Sequence, residues 1–453
     1  MHELKLENLG NQYFEDNEIT SLADYVKKVE ELYSILEKED SVNEKSDSEK
    51  NNVCRENNSE RDQAKELRND GKRELYFRGQ GKVKYGNTCP SLFRNNEYYG
   101  HEANMINDFI AKYPDLFKDC QNNVDRLALM QHHQLPTRLL DLTTNALVAL
   151  YFAVEEDDDK KENKTQNENK DKGEKDGVVY VFNNFYNEKF VDKALDDFFP
   201  GLDKLAVIPH RSSKDPKVLK IKSAKRDSFS DQVEIETSLA RMKRKDSKGF
   251  IKEVMKFYEG LSKYYSAKNQ KVYWKDAYEE YLQNLHRQQH KCSFKDICMC
   301  NTKKILNLYD DFNNAIPTIH LYHAIERDSG NFDHIINPVE MYLPKIVTPR
   351  IIDQRIKNQQ GLFMLIPIDF DPDPNPNPDL DPEVKTKKRR NRIQSRINTL
   401  LYTNKENEAV AFTIPCCMKE KIRKELGNIG ISKSFIYPDA THYAEDIADS
   451  YLN

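Results

Sequence analysis

The stretch QHHQLPTRLLDLTTNALVALYFA, residues 131–153, decides the fold of this chain. Residues 139–142 form a short, mostly apolar run that predicts a strand, and residues 143–145 form a polar turn whose side chains can cap a helix. Residues 146–154 are too apolar for an exposed helix, so we expect this helix to be buried. A strand, a polar turn and a buried helix in this order commonly hold side chains at a cleft.

Strand and helix patterns continue on both sides of that stretch. Further strands are predicted at 73–78, 177–183, 361–367, 408–415 and 432–438. Helices are predicted at 17–38, 100–117, 123–134, over most of 228–325, near 349–358, at 416–430 and at 442–452. These elements predict an α+β fold with a mixed β-sheet core, a large helical insertion and a helical N-terminal segment.

The composition indicates a modest core surrounded by much solvated chain. Charged residues make up 32% of the 453 residues, hydrophobic ones make up 38%, and the mean hydropathy is -0.84. We predict a helical segment at 1–40, a flexible linker at 41–70 and one domain at 73–450. Within that domain we predict a disordered loop at 155–176, a helical insertion at about 196–335 and a proline-rich, acidic and basic loop at 371–393.

Charge and hydropathy bear on partners and location. The formal net charge is -5, which gives no global attraction to nucleic acid, although the basic run KTKKRRNR at 385–392 leaves a local nucleic-acid contact open. The opening residues lack the apolar core of a signal peptide and no stretch is long enough for a membrane span, so we expect a cytoplasmic protein without a membrane partner. The eight cysteines lack paired CxxC spacing, so we expect no metal site. The oligomeric state has no signal in the sequence.

The run ELYFRGQG, residues 74–81, places a permanent cation at the end of an apolar strand. Arg78 cannot be buried without an anionic partner. That partner is either a carboxylate of the fold itself, such as Asp141, or the phosphate of a ligand that Gly79 and Gly81 allow to approach. The residues alone leave both possibilities open.

Five ordered blocks of this sequence resemble the FRG domain, a family named for its arginine-glycine motif. They are YFRGQ at 76–80, PSLFR at 90–94, the stretch at 131–153, RIKNQQGLF at 355–363 and GISKSFIYPD at 430–439. The resemblance covers most of residues 73–450. Where the family's histidine block has glycine, tryptophan and proline, this chain has Gln134, Leu142 and Ala146, which gives the edge of the cleft a bulkier or different shape.

The same blocks also resemble the ADP-ribosyltransferase fold, in which an arginine at the end of the first core strand contacts NAD. In this resemblance Arg78 is that arginine, and Thr143 with Thr144 stands for the Ser/Thr motif before a helix. Gln359 or Gln360 stands at the third-strand position, where it can hydrogen-bond a ribose hydroxyl but supplies no negative charge.

The resemblance implies NAD as the substrate and a separate role for each of these residues. Arg78 would hold the diphosphate, the threonine hydroxyl would fix its partner side chain and the nicotinamide ribose, and the third residue would bind the ribose as positive charge develops at the anomeric carbon. The catalytic residues expected from it are Thr143, Gln359, Gln360 and His132. The NAD-contacting residues expected from it are Arg78, Gly79, Gln80, Arg138, Asp141 and Asn145.

Structural explanations of these residues also remain open. Arg138 and Asp141 are three residues apart and fit an ion-pair network beside the buried helix, and His132 fits a core imidazole bonded to backbone. The pattern QVEIE at 232–236 has the ExE form of transferase sites, but a capped helix start with acidic residues in its first turn explains it as well.

Two functions from different classes follow. The first is an NAD-using enzyme, an ADP-ribosyltransferase or NAD glycohydrolase effector of the kind found in bacterial toxins and antiviral defence, and it predicts that the catalytic residues converge with Arg78 on one cleft. The second is a non-catalytic module that binds a nucleotide, a polyphosphate signal or a protein partner in a basic pocket with no acid or hydrogen-bond acceptor placed at a ribose. A nuclease comes third, because it needs two or more carboxylates around a metal and the blocks offer Asp141 alone.

Overall fold

A computed structural model of the chain describes residues 14–50, 74–82, 88–120, 122–155, 176–186, 244–266, 281–282, 303–326, 335–339, 341–350, 353–369, 381–404 and 408–451. Its centre is a seven-stranded mixed sheet with helices packed on both faces. The predicted α+β class with a mixed sheet is therefore confirmed.

The strands of the sheet come from distant parts of the chain. They are β1 (Phe14–Glu18), β2 (Leu75–Gln80), β3 (Leu139–Thr143), β4 (Gly177–Asn183), β5 (Lys345–Val347), β6 (Gly361–Leu365) and β7 (Ala409–Ile414). Their order across the sheet is β1-β7-β4-β2-β3-β6-β5, with β1 parallel to β7 and the other neighbours antiparallel. Four predicted strands, those at 73–78, 177–183, 361–367 and 408–415, are confirmed with small shifts of their ends.

Helices account for most of the remaining described residues. In chain order they are α1 (Leu22–Lys50), α2 (Asn96–Gly100), α3 (Glu102–Lys112), α4 (Asn123–His132), α5 (Ala146–Val154), α6 (Arg244–Ser266), α7 (Lys303–Asn313), α8 (Ile316–Glu326), α9 (Gln354–Asn358), α10 (Pro382–Asn398), α11 (Lys419–Asn428), α12 (Lys433–Ile436) and α13 (Ala440–Ser450). The strand, polar turn and buried helix predicted at 139–154 are confirmed as β3, its turn and α5.

One face of the sheet carries two groups of helices. Phe77 and Val179 pack in a cluster with α1, α5 and α11, whereas Phe363 and Leu365 pack in a second cluster with α3 and α4. The opposite face of the sheet packs against α10. The space between α4 and α5, over β2, β3 and β6, holds the cleft described below.

Helix α5 lies unusually close to the sheet. A Cβ atom built on Gly79 of β2 would sit 1.8 Å from the backbone oxygen of Ala149, and one on Gly177 of β4 would sit 2.1 Å from that of Ala153. Only glycine permits this approach, because it has no Cβ. The glycine of the YFRG motif is thus a packing requirement of α5.

The described part of the predicted insertion is helical. Helices α6, α7 and α8 form their own hydrophobic cluster, which Tyr281, Val339 and Tyr342 complete. The acidic pattern at 232–236, the cysteines at 292, 298 and 300 and most of the predicted loop at 155–176 lie outside the described residues.

The N-terminal segment differs from its prediction. Residues 14–18 form β1, and α1 begins only at Leu22 and continues to Lys50, so a helix occupies residues 41–50 where the sequence predicts a flexible linker. Strand β1 lies at the edge of the sheet and pairs on one side only. Its polar sequence, FEDNE, therefore lacks the apolar alternation by which strands are predicted.

The basic run at 385–392 lies on helix α10, not in the predicted loop at 371–393. Asp381 caps this helix by accepting a hydrogen bond from the backbone nitrogen of Glu383 at 2.7 Å, and Pro382 is its first residue. Arg392 and Arg389 lie 2.5 and 3.5 Å from the carboxylate of Asp369. Two of the basic side chains, Arg389 and Arg392, thus hold α10 against the rest of the domain.

The predicted strand at 432–438 is also wrong. Residues 433–436 form the short helix α12, because the Ser432 hydroxyl caps it by accepting from the backbone nitrogen of Phe435 at 3.3 Å. The predicted helices on either side, α11 and α13, are confirmed.

Candidate active site

A cleft of about 370 Å³ opens between α4 and α5, at the edge where β2, β3 and β6 meet α9. This volume falls within the range of about 300 to 1,000 Å³ that is usual for small-molecule sites. Its polar lining consists of Arg78, Gln131, His132, Gln134, Asp141, Thr143, Arg355 and Gln359. Aromatic side chains also line it: Phe77, Phe152 and Phe363.

Strand register explains why residues from three blocks meet here. Phe77 of β2 is paired with Thr143 of β3, and Thr143 is paired with Gly361 of β6. Arg78 follows Phe77 in the sequence, and Gln360 precedes Gly361. Three distant segments therefore present polar residues side by side. The predicted candidates Arg78, Thr143, Gln359 and His132 therefore all line one cleft.

Arg78 bridges the two strands where their pairing stops. Strand β2 pairs with β3 only at Phe77, and the next contact is supplied by the Arg78 side chain, whose Nη1 donates to the backbone oxygen of Asp141 at 2.7 Å. The same nitrogen lies 3.8 Å from the Asp141 carboxylate. Burial lowers the pKa of the Arg78 guanidinium, although an arginine remains protonated at neutral pH.

The Arg78 guanidinium keeps unused donors. Its side chain is 14% exposed, and its Nε is buried without a hydrogen-bond partner among the described residues. The Asp141 carboxylate is also held from the other side, because Gln131 Nε2 donates to it at 2.6 Å. Asp141 thus balances the charge of Arg78 only in part, and the arginine lies in the lining of the cleft.

Thr143 fixes the corner between β3 and β6. Its hydroxyl donates to the backbone oxygen of Gln359 at 2.6 Å and accepts from the backbone nitrogen of Asn145 at 2.9 Å. Thr143 is only 4% exposed. Its role in this geometry is to position Gln359 and the start of α5.

Gln359 and Gln360 separate into two roles. Gln359 lines the cleft, and its Nε2 donates to the backbone oxygen of Ile436 at 3.0 Å, so its Oε1 has no hydrogen-bond partner within the described ranges. Gln360 is exposed, adopts a positive φ of 46°, and accepts at Oε1 from the Thr144 hydroxyl at 3.3 Å. Gln359, and not Gln360, is therefore the glutamine that lines the cleft.

His132 forms a dyad with a carboxylate behind it. Its Nε2 lies 3.2 Å from Asp353 Oδ2, and both side chains are partly exposed. Asp353 also caps α9 by accepting from the backbone nitrogen of Arg355 at 2.5 Å. The cap holds the carboxylate in place, so the imidazole has a fixed partner at one nitrogen.

Comparison with known families assigns the segment that carries these residues. The family model of the FRG domain matches residues 73–162, which include β2, β3, α4 and α5. This chain carries an FRG domain. No curated protein and no solved structure matches it.

Two departures from the FRG pattern have a structural meaning. Gln134 adopts a φ of 65°, in the left-handed region that favours the glycine usual at this position. Ala146 is the first residue of α5, a position at which the proline of the pattern is also favoured. The FRG block thus specifies a turn and a helix start, and this chain keeps both with other residues.

Arg138 of the FRG block lies away from the cleft, contrary to the NAD-contacting role expected for it. It is 1% exposed, and its guanidinium binds Glu102 through two hydrogen bonds of 2.8 and 2.5 Å. The pair ties β3 to the first turn of α3. The alternative in which Arg138 joins a structural ion pair is therefore correct, with Glu102 as the partner and not Asp141.

Of three other expected contact residues, Asn145 and Gly79 serve the fold, and Gln80 does not line the cleft. Asn145 caps α5, since its Oδ1 accepts from the backbone nitrogen of Leu147 at 3.0 Å. Gly79 lines the cleft and admits α5. Gln80 lies outside the lining of the cleft, and its buried Oε1 has no hydrogen-bond partner among the described residues.

The site also contains residues that the sequence interpretation did not select. Arg355 of α9 lines the cleft, with its guanidinium carbon 4.8 Å from the centre of the Tyr437 ring. Both residues belong to blocks that resemble the FRG domain, RIKNQQGLF and GISKSFIYPD, so block membership was the signal available. Their contact arises from packing of distant segments and has no trace in local sequence.

Two structural features are absent among the described residues. No helix among them is long and apolar enough to cross a membrane. No group of three or more histidine, cysteine, aspartate or glutamate side chains in these ranges is placed to hold a metal ion.

Proposed function

We propose that the cleft of the FRG domain binds NAD and that the protein releases nicotinamide from it, as an ADP-ribosyltransferase or NAD glycohydrolase acting as a toxin or antiviral effector in the cytoplasm. The observation that carries the proposal is the meeting of Arg78, Thr143 and Gln359 at neighbouring strands on one cleft. These are the residues that the resemblance to the ADP-ribosyltransferase fold selects. The order of these residues along the chain and their positions in one cleft support the proposal.

Arg78 is the residue for the diphosphate. A guanidinium binds phosphate oxygens through two parallel hydrogen bonds, and such charge-assisted bonds are among the strongest in proteins. Arg78 is already oriented by the Asp141 backbone oxygen, and it lines the cleft. It can therefore anchor a phosphate with little loss of side-chain freedom.

Gln359 is the residue for the nicotinamide ribose. The Thr143 hydroxyl fixes its backbone, and the hydrogen bond from its amide nitrogen to Ile436 orients its side chain. The remaining amide oxygen accepts a hydrogen bond from a ribose hydroxyl. As the glycosidic bond lengthens and positive charge develops at the anomeric carbon, this polar contact becomes more favourable.

The reaction itself is a substitution at the anomeric carbon. The bond from that carbon to the nicotinamide nitrogen breaks, and its electron pair leaves with nicotinamide. An oxygen of water or of an acceptor group bonds to the carbon and gives up a proton. His132 is the general base for this proton, since its partner Asp353 stabilises the imidazolium that results.

A second candidate function is a non-catalytic nucleotide sensor. One observation favours it: the third-strand position holds an amide, and the cleft's aspartate, Asp141, is engaged by Gln131 and Arg78. An amide gives less stabilisation to a cationic transition state than a carboxylate. This function predicts NAD binding without nicotinamide release.

Two adjacent glutamines offer a matched test of the enzyme. Purified protein is incubated with NAD, and released nicotinamide is measured for wild type, Gln359→Ala and Gln360→Ala. Loss of about tenfold or more in Gln359→Ala with little change in Gln360→Ala is expected, since removing one polar contact to a transition state costs this much or more. Equal effects of the two substitutions, or release that is absent from wild type, would count against the enzyme.

A further inference from the structure

Arg355 is a second cation in the cleft, and the proposed reaction has given it no role. It lies on α9, whereas Arg78, the other arginine of the cleft lining, lies on β2. Its backbone nitrogen donates to Asp353, but its guanidinium makes no hydrogen bond or ion pair with any residue in the described ranges. A permanently charged group in a cleft with all its donors unused is suited to bind an anionic ligand.

Tyr437 holds this guanidinium in place. The ring lies under the Arg355 guanidinium carbon at 4.8 Å, a distance typical of a cation–π contact. The ring is itself anchored, because its hydroxyl donates to Glu155 at 3.2 Å and His442 stacks on it at 4.8 Å. Such stacking leaves the edge of the guanidinium, where the N–H groups are, available for a ligand.

The two arginines are oriented by different contacts, but both add a guanidinium group to the lining of the cleft. Arg78 is oriented by a backbone oxygen, and Arg355 is oriented by an aromatic face. Asp141 is the one carboxylate among the cleft-lining residues of the described chain. The lining of the cleft therefore holds two guanidinium groups from separate elements and a single carboxylate, and a ligand with two phosphate groups complements this lining better than a ligand with one.

We propose that Arg355 is a second phosphate-binding side chain, that Tyr437 is its positioning residue, and that the ligand class is a diphosphate-bearing nucleotide rather than a nucleoside monophosphate. The inference rests on the proposed function, because it concerns the same cleft and ligand family. It adds a residue outside the segment that matches the FRG family model, and it predicts selectivity between two nucleotides.

The test compares ADP-ribose with AMP, neither of which requires chemistry for binding. Dissociation constants are measured by calorimetry on the full chain for wild type, Arg355→Ala and the control Lys357→Ala, an exposed cation on the same helix that does not line the cleft. Wild type is expected to prefer ADP-ribose. Arg355→Ala should lose about tenfold or more in affinity for ADP-ribose and little for AMP, since the charge-assisted hydrogen bonds to the second phosphate are lost. Lys357→Ala should match wild type.

Tyr437 is tested through the same ligand. Tyr437→Phe keeps the ring and should bind ADP-ribose as wild type does, whereas Tyr437→Leu removes the aromatic face and should weaken ADP-ribose more than AMP. Thermal unfolding of each variant confirms that it is folded. Equal weakening of both ligands by Arg355→Ala, an unchanged affinity for ADP-ribose, or equal loss in Tyr437→Phe and Tyr437→Leu would overturn the proposal.

The outcomes also separate this inference from the proposed reaction. Arg355-dependent binding of ADP-ribose without any nicotinamide release from NAD would uphold the inference and remove the enzyme. Nicotinamide release that is indifferent to Arg355 would uphold the enzyme and remove the inference. A wild type that binds neither ADP-ribose nor NAD would overturn both.

Discussion

The guanidinium of Arg78 donates a 2.7 Å hydrogen bond to the backbone oxygen of Asp141, while its distance to the Asp141 carboxylate is 3.8 Å. The closer contact is therefore to the main chain of β3 and not to the charge of the aspartate. Arg78 holds two strands together at the point where their pairing ends, and it also lines the cleft. Structural and ligand-binding interpretations of Arg78 are thus compatible.

Substitutions at the two residues should have different effects on stability. Asp141→Asn keeps the backbone oxygen and removes only the negative charge of a side chain that is 66% exposed, so its free energy of unfolding should fall by no more than about 1 kcal/mol. Arg78→Ala removes the bond itself and should cost about 1 to 3 kcal/mol. Urea unfolding measures both. A larger cost for Asp141→Asn than for Arg78→Ala would show that the carboxylate is the partner that matters.

The buried pair of Arg138 and Glu102 is expected to dominate local stability. Arg138→Met leaves Glu102 buried without its partner and should lower the free energy of unfolding by about 3 to 5 kcal/mol. The double variant Arg138→Met with Glu102→Leu should recover much of that loss, because no unpaired charge remains. Denaturant unfolding of the single and double variants checks this. A double variant as unstable as the single one would contradict the account.

Two glycines of the YFRGQG run provide a matched pair. Gly79→Ala places a Cβ 1.8 Å from the backbone oxygen of Ala149, so α5 must move and a loss of about 2 kcal/mol or more is expected. Gly81→Ala places its Cβ 3.4 Å from the backbone oxygen of Glu155, an ordinary contact, and should be tolerated. Thermal unfolding distinguishes them, and similar melting temperatures would mean that α5 adapts without strain.

Gln134 stands where the FRG pattern has glycine and has a φ of 65°. Because a side chain in the left-handed region costs about 1 kcal/mol, Gln134→Gly is expected to stabilise the fold slightly or leave it unchanged. Gln134→Val should destabilise it, since a branched Cβ fits this region poorly. The measurement is the midpoint of urea unfolding. Stabilisation by valine would show that the turn has another conformation.

Elements with a strong local signal could be predicted from the sequence. The apolar helix α5 and its strand β3 follow from residues 139–154, and β4, β6 and β7 follow from apolar runs bounded by polar turns. Edge strand β1 could not, because an edge needs no apolar alternation. Helix α10 was not predicted, because a dense basic run is typical of a solvated loop. The signal for the helix is its N-cap, Asp381.

Some residues of the candidate site could likewise be predicted from the sequence, and others could not. Arg78, Thr143 and Gln359 could be selected as candidates because each stands in one of the ordered sequence blocks at 76–80, 131–153 and 355–363. The partner of Arg138 could not, since Glu102 is 36 residues away on a helix that packs against β3. Arg355 and Tyr437 meet only after α9 and the segment following α12 pack together, and no local pattern encodes such a contact.

The most direct test of the central claim is to measure NAD binding and nicotinamide release together, on folded wild type and folded Arg78→Ala. NAD should raise the melting temperature of wild type and be converted to free nicotinamide, whereas Arg78→Ala should remain folded, gain no thermal stabilisation from NAD and release no nicotinamide. A wild type that neither gains stability nor releases nicotinamide, or an Arg78→Ala variant that does both as well as wild type, would contradict the account.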